Sequence, residues 1–298
     1  MTEPRPVAAA PAYRASAAAA NKGIPLTHRC PDCLPLRPLS GRSGCCWRHA
    51  GTSVACEATA LSSEVMRLNS QDLATRRAYD AVAVDYARLV PDMSLEAPLD
   101  RAVLGAFAEM VRKGSNHLVV EVGCGSGRLT RHLADAGLTM VGVDLSQEMV
   151  KLARASRPEV PFAVAHAGAL PLPTGLMGGV VCWYSLINLS GDALPGVCRE
   201  LARVAAPGAP IVIGFQSGDG EKADRASSYG RPVPLTYYRH RAEEMTDALV
   251  AAGFTMHATV RREQTLAFET TPQTSLLARR ASDPDGEPGP LCRLSAIA

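Results

Sequence analysis

No stretch of this 298-residue sequence is apolar over the roughly 20 residues that crossing a bilayer requires, so no transmembrane helix and no membrane partner are expected. A strong excess of charge is also missing. The 31 Lys and Arg against 29 Asp and Glu leave a formal +2, without the basic footprint of a nucleic-acid binder. No secretory signal is legible near the N-terminus, because prolines and Arg14 break every apolar stretch, while the shortage of acids there leaves a transit peptide open. No internal repeat is apparent. What remains is ordinary: 47% hydrophobic and 20% charged residues suit a globular chain of one large domain or two small ones.

Composition divides the chain near Met66. Residues 1–65 are rich in Ala, Pro, Ser and Arg, follow neither a helical nor a strand period, and are expected to be disordered. They hold seven basic and four acidic side chains, which leaves the remainder slightly acidic, with 24 and 25. Five of the nine cysteines fall there as well. Cys30-Pro-Asp-Cys33 followed by Cys45-Cys46, flanked by His28 and His49, imitates a zinc ribbon. The second pair is adjacent rather than spaced, however, and no metal is expected. Cys124, Cys182, Cys198 and Cys292 are scattered, three of them in expected core elements, which fits reduced thiols of a cytoplasmic protein.

The most informative stretch is 118–144, LVVEVGCGSGRLTRHLADAGLTMVGVD. A β-branched apolar run, Leu118 to Val122, carries one acid, Glu121, and runs into Gly123, Gly125 and Gly127. A helical segment follows, then a second apolar run, Met140 to Val143, closed by Asp144. Strand, glycine loop, helix, strand and terminal carboxylate are the sequence form of a nucleotide site in an α/β sheet. Glycines let the backbone approach a ligand and accept φ > 0. The helix after them presents free N–H groups to a carboxylate or phosphate. Asp144 stands where two carboxylate oxygens can accept the two hydroxyls of a ribose. The spacing Gly-x-Gly-x-Gly is not the Gly-x-Gly-x-x-Gly of dinucleotide enzymes.

This arrangement resembles the class I S-adenosylmethionine (SAM)-dependent methyltransferases of the small-molecule type, whose first motif is E/D-x-G-x-G-x-G. The likeness continues in family order through DLSQEMVKLAR (Asp144 to Arg154), ALPLP (Ala169 to Pro173), VVCWYSL (Val180 to Leu186), ELARVAAPGAPIVIGF (Glu200 to Phe215) and LVAAGF (Leu249 to Phe254). It implies an α/β, Rossmann-like domain over residues 66–282, with a flexible tail at 283–298. The sheet is then seven-stranded and mostly parallel, in order 3-2-1-4-5-7-6, its last strand antiparallel. It also implies SAM as cofactor and a small-molecule methyl acceptor. Cofactor-binding roles pass to Glu121, Gly123, Gly125 and Gly127, to Asp144 at the ribose, to Leu145 and Met149 as the apolar wall against adenine, and to His166 and Ala167. Glu121 acts in the family by ordering the glycine loop, often indirectly.

The departures from the family pattern matter as much. Relatives often carry Gly-Asp-Ala before a Leu-Pro pair, the Asp accepting from the adenine amine; here the text is Ala165-His166-Ala167, with Leu170-Pro171 after it. Either a neutral His166 nitrogen accepts that bond, or His166 points elsewhere and the Ala167 backbone reads adenine. Met177-Gly178-Gly179 replaces the usual Phe-Asp before the fourth strand, and Asn188 stands where several relatives have His. Tyr184, at the end of that strand, is a candidate to line the acceptor pocket or donate a hydrogen bond. His240 is the favoured general base. Tyr79, Tyr86, Trp183, Tyr184, Tyr237 and Tyr238 form an aromatic acceptor-facing set suited to a small, partly apolar molecule.

Ser70 is expected to cap a first helix that ends before Pro91, and a second helix to span Leu99 to Val111. Strands near 118–122, 139–143, 161–165, 179–184 and 209–215 then alternate with helices near 127–136, 147–155 and 191–204. Beyond a loop with Gly218, Gly220, Gly230 and Pro232, residues 234–254 read as one helix ended by Gly253. Strands near 254–263 and 273–279 close the pattern. Two other functions would use a similar sheet: a non-catalytic SAM-binding module, and a nicotinamide-dependent oxidoreductase, which needs the other glycine spacing. The sequence is silent on oligomeric state.

Overall fold

Alternating apolar runs and amphipathic segments fold as their order dictates, into strands covered by helices on both sides. The computed structural model describes residues 47–49, 52–54 and 68–282. Trp47–His49 pairs antiparallel with Thr52–Val54 as a small unit of its own. The cysteine cluster, and the expectations for the rest of 1–65 and for 283–298, lie outside the described residues.

In the main body, α1 (Ser70–Leu89) and α2 (Pro98–Arg112) precede β1 (Leu118–Val122), α3 (Arg128–Asp135), β2 (Thr139–Asp144), α4 (Gln147–Ser156) and β3 (Phe162–Val164). There follow β4 (Gly179–Trp183), α5 (Leu194–Val204), β5 (Pro210–Gln216), β6 (Lys222–Arg225), β7 (Leu235–Tyr238), α6 (Ala242–Ala251), β8 (Phe254–Arg262) and β9 (Gln273–Arg280). The seven-stranded sheet runs β3-β2-β1-β4-β5-β9-β8. All pairs from β3 to β5 are parallel, and β9 lies antiparallel to both its neighbours. With β6 and β7 set aside as a separate two-stranded ribbon, this is the order 3-2-1-4-5-7-6 expected from the resemblance.

Each helix buries one stripe. Phe107 of α2, Leu129 of α3 and Val150 of α4 pack on one face of the sheet; Leu201 of α5 and Leu249 of α6 pack on the other. Burying a side chain of this size contributes about 1.5–3 kcal/mol. The unusual Gly178 has a steric reason: a Cβ there would lie 1.9 Å from the Asn116 carbonyl oxygen. Cys124, Cys182 and Cys198 are buried free thiols. No described helix is long and apolar enough to cross a membrane.

Two expectations are corrected. The cap of α1 is Asn69, not Ser70: its side chain accepts the Asp72 N–H while Asp72 accepts the Asn69 N–H, a reciprocal capping box. The helix expected across 234–254 is a strand and a shorter helix. Leu235 and Tyr237 are buried while Thr236 and Tyr238 are half-buried, a two-residue alternation that fits a strand, and β7 pairs with β6.

Candidate active site

The carboxyl ends of β1, β2 and β4 open into a cavity of about 590 Å³, roofed by α1 and by the β6–β7 ribbon. This is where an open parallel sheet places its ligand, because the loops diverge beyond the strands. Of the residues expected at the cofactor, Gly123, Gly125, Asp144, Leu145, Met149, His166 and Ala167 line it together.

The glycine loop is stitched to the end of β2. Gly123 and Cys124 donate their N–H groups to the Val143 carbonyl at 2.7 and 3.0 Å, and Gly125 donates to Asp144 Oδ2 at 2.8 Å. Gly123 has φ +78°, and a Cβ on it would lie 2.1 Å from Ser185 Cβ, so only glycine fits. Asp144 Oδ1 accepts the Ser146 N–H at 2.8 Å. Capping of α4 falls to Ser146, whose hydroxyl accepts from Met149 N and donates to Asp80. Asp144 is therefore held in place with lone pairs to spare on both oxygens. Burial pushes its pKa up to about 6, against the pull of the N–H groups it accepts.

Glu121 and Gly127 do not line the cavity. Glu121 is buried beneath it, accepting the Thr130 hydroxyl of α3, and burial raises its pKa to about 8. Gly127 packs close to Ala153 and Phe162, between α4 and β3. Both act on the loop and its helix, from below.

Geometry removes one sequence expectation, His240, and one of the two alternatives for His166. His240 is not among the lining residues: it is 1% exposed, its Nε2 faces the Leu186 carbonyl at 3.1 Å, and its ring stacks on Tyr238. Burial also lowers its pKa; turned to a carbonyl and away from the lining, it is a packing residue rather than a base at the site. His166 cannot accept from adenine through Nδ1, which already accepts the Gly168 N–H at 3.0 Å. Tyr184 does line the cavity, with a strained φ of +53°, and its ring meets Trp183 edge-on at 5.5 Å. Burial raises its phenol far above the ordinary range, so it is a donor and not a base.

Tyr79, Tyr86, Trp183 and Tyr237 line the cavity as expected; Tyr238 does not, and Tyr229 joins them, edge-on to Tyr86 at 5.0 Å. Several polar residues were missed. Glu96 accepts the Trp183 indole N–H at 3.0 Å and pairs with Arg128 at 2.5 Å. Arg262 binds Asp100 through two hydrogen bonds, of 2.9 and 2.6 Å, and also donates to Glu269. Their partners are distant in sequence, so no local spacing reveals them. Asp72 and Thr75 did leave a signal, since with Tyr79 and Tyr86 they form a polar stripe at helical spacing. That stripe faces the cavity, while Leu73 of the same helix is 37% exposed.

Four buried polar atoms in the lining, Thr75 Oγ1, His166 Nε2, Ser185 Oγ and Ser228 Oγ, have no hydrogen-bond partner among the described residues. Orphans of this kind each cost about 1–3 kcal/mol unless a guest or water meets them. A polar nucleoside with an amino-acid arm fits such a lining.

A family profile described as a methyltransferase domain matches residues 119–208. The malonyl-[acyl-carrier protein] O-methyltransferase of Erwinia pyrifoliae is 27% identical over 182 residues, covering 59% of this chain and 69% of that one. The N-demethylindolmycin N-methyltransferase of Streptomyces griseus is 30% identical over 163 residues, 46% of this chain and 68% of the relative. Among solved structures, the SAM-bound magnesium protoporphyrin IX methyltransferase of Synechocystis PCC 6803 shares the fold. It has a TM-score of 0.54 and 20% identity, covering 72% of this chain and 99% of that one. With that sheet order, glycine loop and terminal carboxylate, the chain belongs to the class I SAM-dependent methyltransferases. SAM is the cofactor of that family, and the chain is an enzyme of it.

Proposed function

We propose that the protein transfers a methyl group from SAM to a small, partly apolar molecule held at the aromatic end of the cavity. The observation that carries this reading is the division of one cavity into two chemistries. Near β1 and β2 it offers Asp144, the glycine loop and the orphaned polar atoms of Thr75, His166 and Ser185; farther out it offers Trp183, Tyr184, Tyr229 and Tyr237.

In this reading Asp144 holds the ribose hydroxyls, and Gly123, Gly125 and Ser185 face the amino-acid arm. Leu145, Met149 and Ala167 form the wall against the base. Glu121 and Gly127 fix the loop without touching the ligand. SAM supplies a methyl group on a sulfonium, an activated leaving group, so the protein's main task is alignment. The side chains agree with that. At the acceptor end Glu96 and Glu269 are engaged with arginines and Tyr184 stays protonated, so the described lining there offers no unengaged base. The acceptor's nucleophile then arrives with its lone pair already available, and the enzyme positions it.

Incubation with methyl-labelled SAM and a cell extract, split into small-molecule and macromolecular fractions, tests the reading. Label is expected in a small product, with S-adenosylhomocysteine (SAH) formed alongside. Label confined to RNA, DNA or protein would overturn it. A basic, salt-sensitive surface is expected only of a nucleic-acid enzyme, and the part of the chain after residue 65 is slightly acidic.

A further inference from the structure

His166 and Asp72 come from different elements and meet inside the cavity, with Nε2 and Oδ1 3.4 Å apart. Their hydrogen-bond accounts are both incomplete. Nδ1 of His166 accepts the Gly168 N–H, and a ring nitrogen that accepts carries no proton. The neutral imidazole therefore holds its proton on Nε2, which is buried and has no aligned partner. Asp72 Oδ2 accepts the Asn69 N–H at 3.0 Å, while Oδ1 takes part in no aligned bond among the described residues. The cavity wall thus presents a buried N–H donor beside a buried carboxylate acceptor.

A ligand edge that satisfies both must place an N–H donor next to an acceptor. Adenine does so with its exocyclic amine and the adjoining ring nitrogen, whereas a 6-oxo purine puts an acceptor where the amine was. Resting on the SAM-site reading above, we propose that Asp72 and His166 together read the adenine edge of the cofactor. Oδ1 accepts from the exocyclic amine, and the Nε2–H donates to the adjoining ring nitrogen. Recognition of the base is then shared between the sheet, through the loop after β3, and the roof helix α1. Asp72 is also the third residue of that helix and half of its capping box, so holding the base and holding the start of α1 are one task. Thr75, on the same face, leaves its hydroxyl beside the base.

Calorimetry on the full chain separates the outcomes, using SAH, S-inosylhomocysteine, and the 1-deaza and 7-deaza analogues of SAH. The inosyl compound is expected to bind at least roughly tenfold more weakly than SAH, the usual scale for a misplaced polar pair. His166→Phe should weaken SAH by a similar factor, and that loss should vanish with the one deaza analogue that lacks the contacted nitrogen. Asp72→Asn, which keeps an oxygen for the helix cap, should narrow the difference between SAH and the inosyl compound. Equal binding of SAH and S-inosylhomocysteine by the unmodified protein overturns the proposal. So does a His166→Phe loss of the same size for SAH and both deaza analogues. Failure of the unmodified protein to bind SAH at all would instead defeat the cofactor reading beneath it.

Discussion

The Tyr79 hydroxyl donates to Asn188 Oδ1 at 3.0 Å across 109 residues of chain, and Asn188 Nδ2 donates onward to the Thr236 carbonyl at 2.8 Å. One amide thus ties the roof helix α1 to the loop after β4 and to the β6–β7 ribbon. A histidine at this position would present two ring nitrogens in place of the amide's oxygen and nitrogen.

Asn188→Ala should loosen that junction. We expect a stability loss of about 1–3 kcal/mol from the stranded partners, with faster amide exchange in α1 and β7. Unchanged exchange in α1 would show that the roof is held elsewhere.

Asp144→Ala should weaken SAH binding by about 1–3 kcal/mol, the cost of leaving hydroxyls without a charged acceptor. The unmodified protein should show a matching pH dependence. Its carboxyl, raised to about 6, gains a proton below that pH and loses its charge, so SAH affinity should fall from pH 7.5 to pH 5. Calorimetry across that range on both proteins checks this, and the slope should flatten in the variant.

Glu121 gives a prediction about stability. Its folded pKa of about 8 lies above the ordinary 4.5, so the native state keeps a proton that the unfolded chain releases. That contribution is fully present below about pH 4.5 and is lost as pH rises through about 8. Glu121→Gln retains an acceptor for Thr130 and does not titrate. Its melting temperature should overtake that of the unmodified protein at pH 8 but not at pH 5. Parallel curves would mean the carboxyl is ionised throughout.

Arg262 sits between Asp100 and Glu269, all three nearly buried. Glu269 also accepts the N–H groups of Thr265 and Leu266, fixing the turn that carries Phe268 to the cavity. Arg262→Met strands two carboxylates and should cost about 3–5 kcal/mol. Chemical denaturation measures it, and adding Asp100→Asn and Glu269→Gln should recover part of the loss.

What the sequence revealed and what it hid follow from how far apart the cooperating residues lie. The glycine loop, Asp144 and the strand–helix alternation are written within single stretches, and their positions agree with the structure to within three residues. His240 misled because a histidine near the acceptor region looks the same in sequence whether it faces a cavity or a carbonyl. Glu96, Asp100, Arg128 and Arg262 escaped notice because each acquires meaning only from a partner many positions away. The β6–β7 ribbon escaped because its short strands are separated by a glycine- and serine-containing loop, and Leu235 to Tyr238 runs on toward a true helix. Asp72 was within reach, as an acid on the inward face of a helix that otherwise needed apolar residues.

The ribbon has one more implication. β6 and β7 share ladder hydrogen bonds only with each other, yet they and their connecting loop bring Arg225, Ser228, Tyr229 and Tyr237 to the cavity. Asp144 and the glycine loop belong to the large sheet and its turns. In the proposed reading part of the acceptor's surroundings is thus carried on this ribbon, and exchanging that segment for another of equal span is expected to change the acceptor while Asp144 and the glycine loop stay as they are.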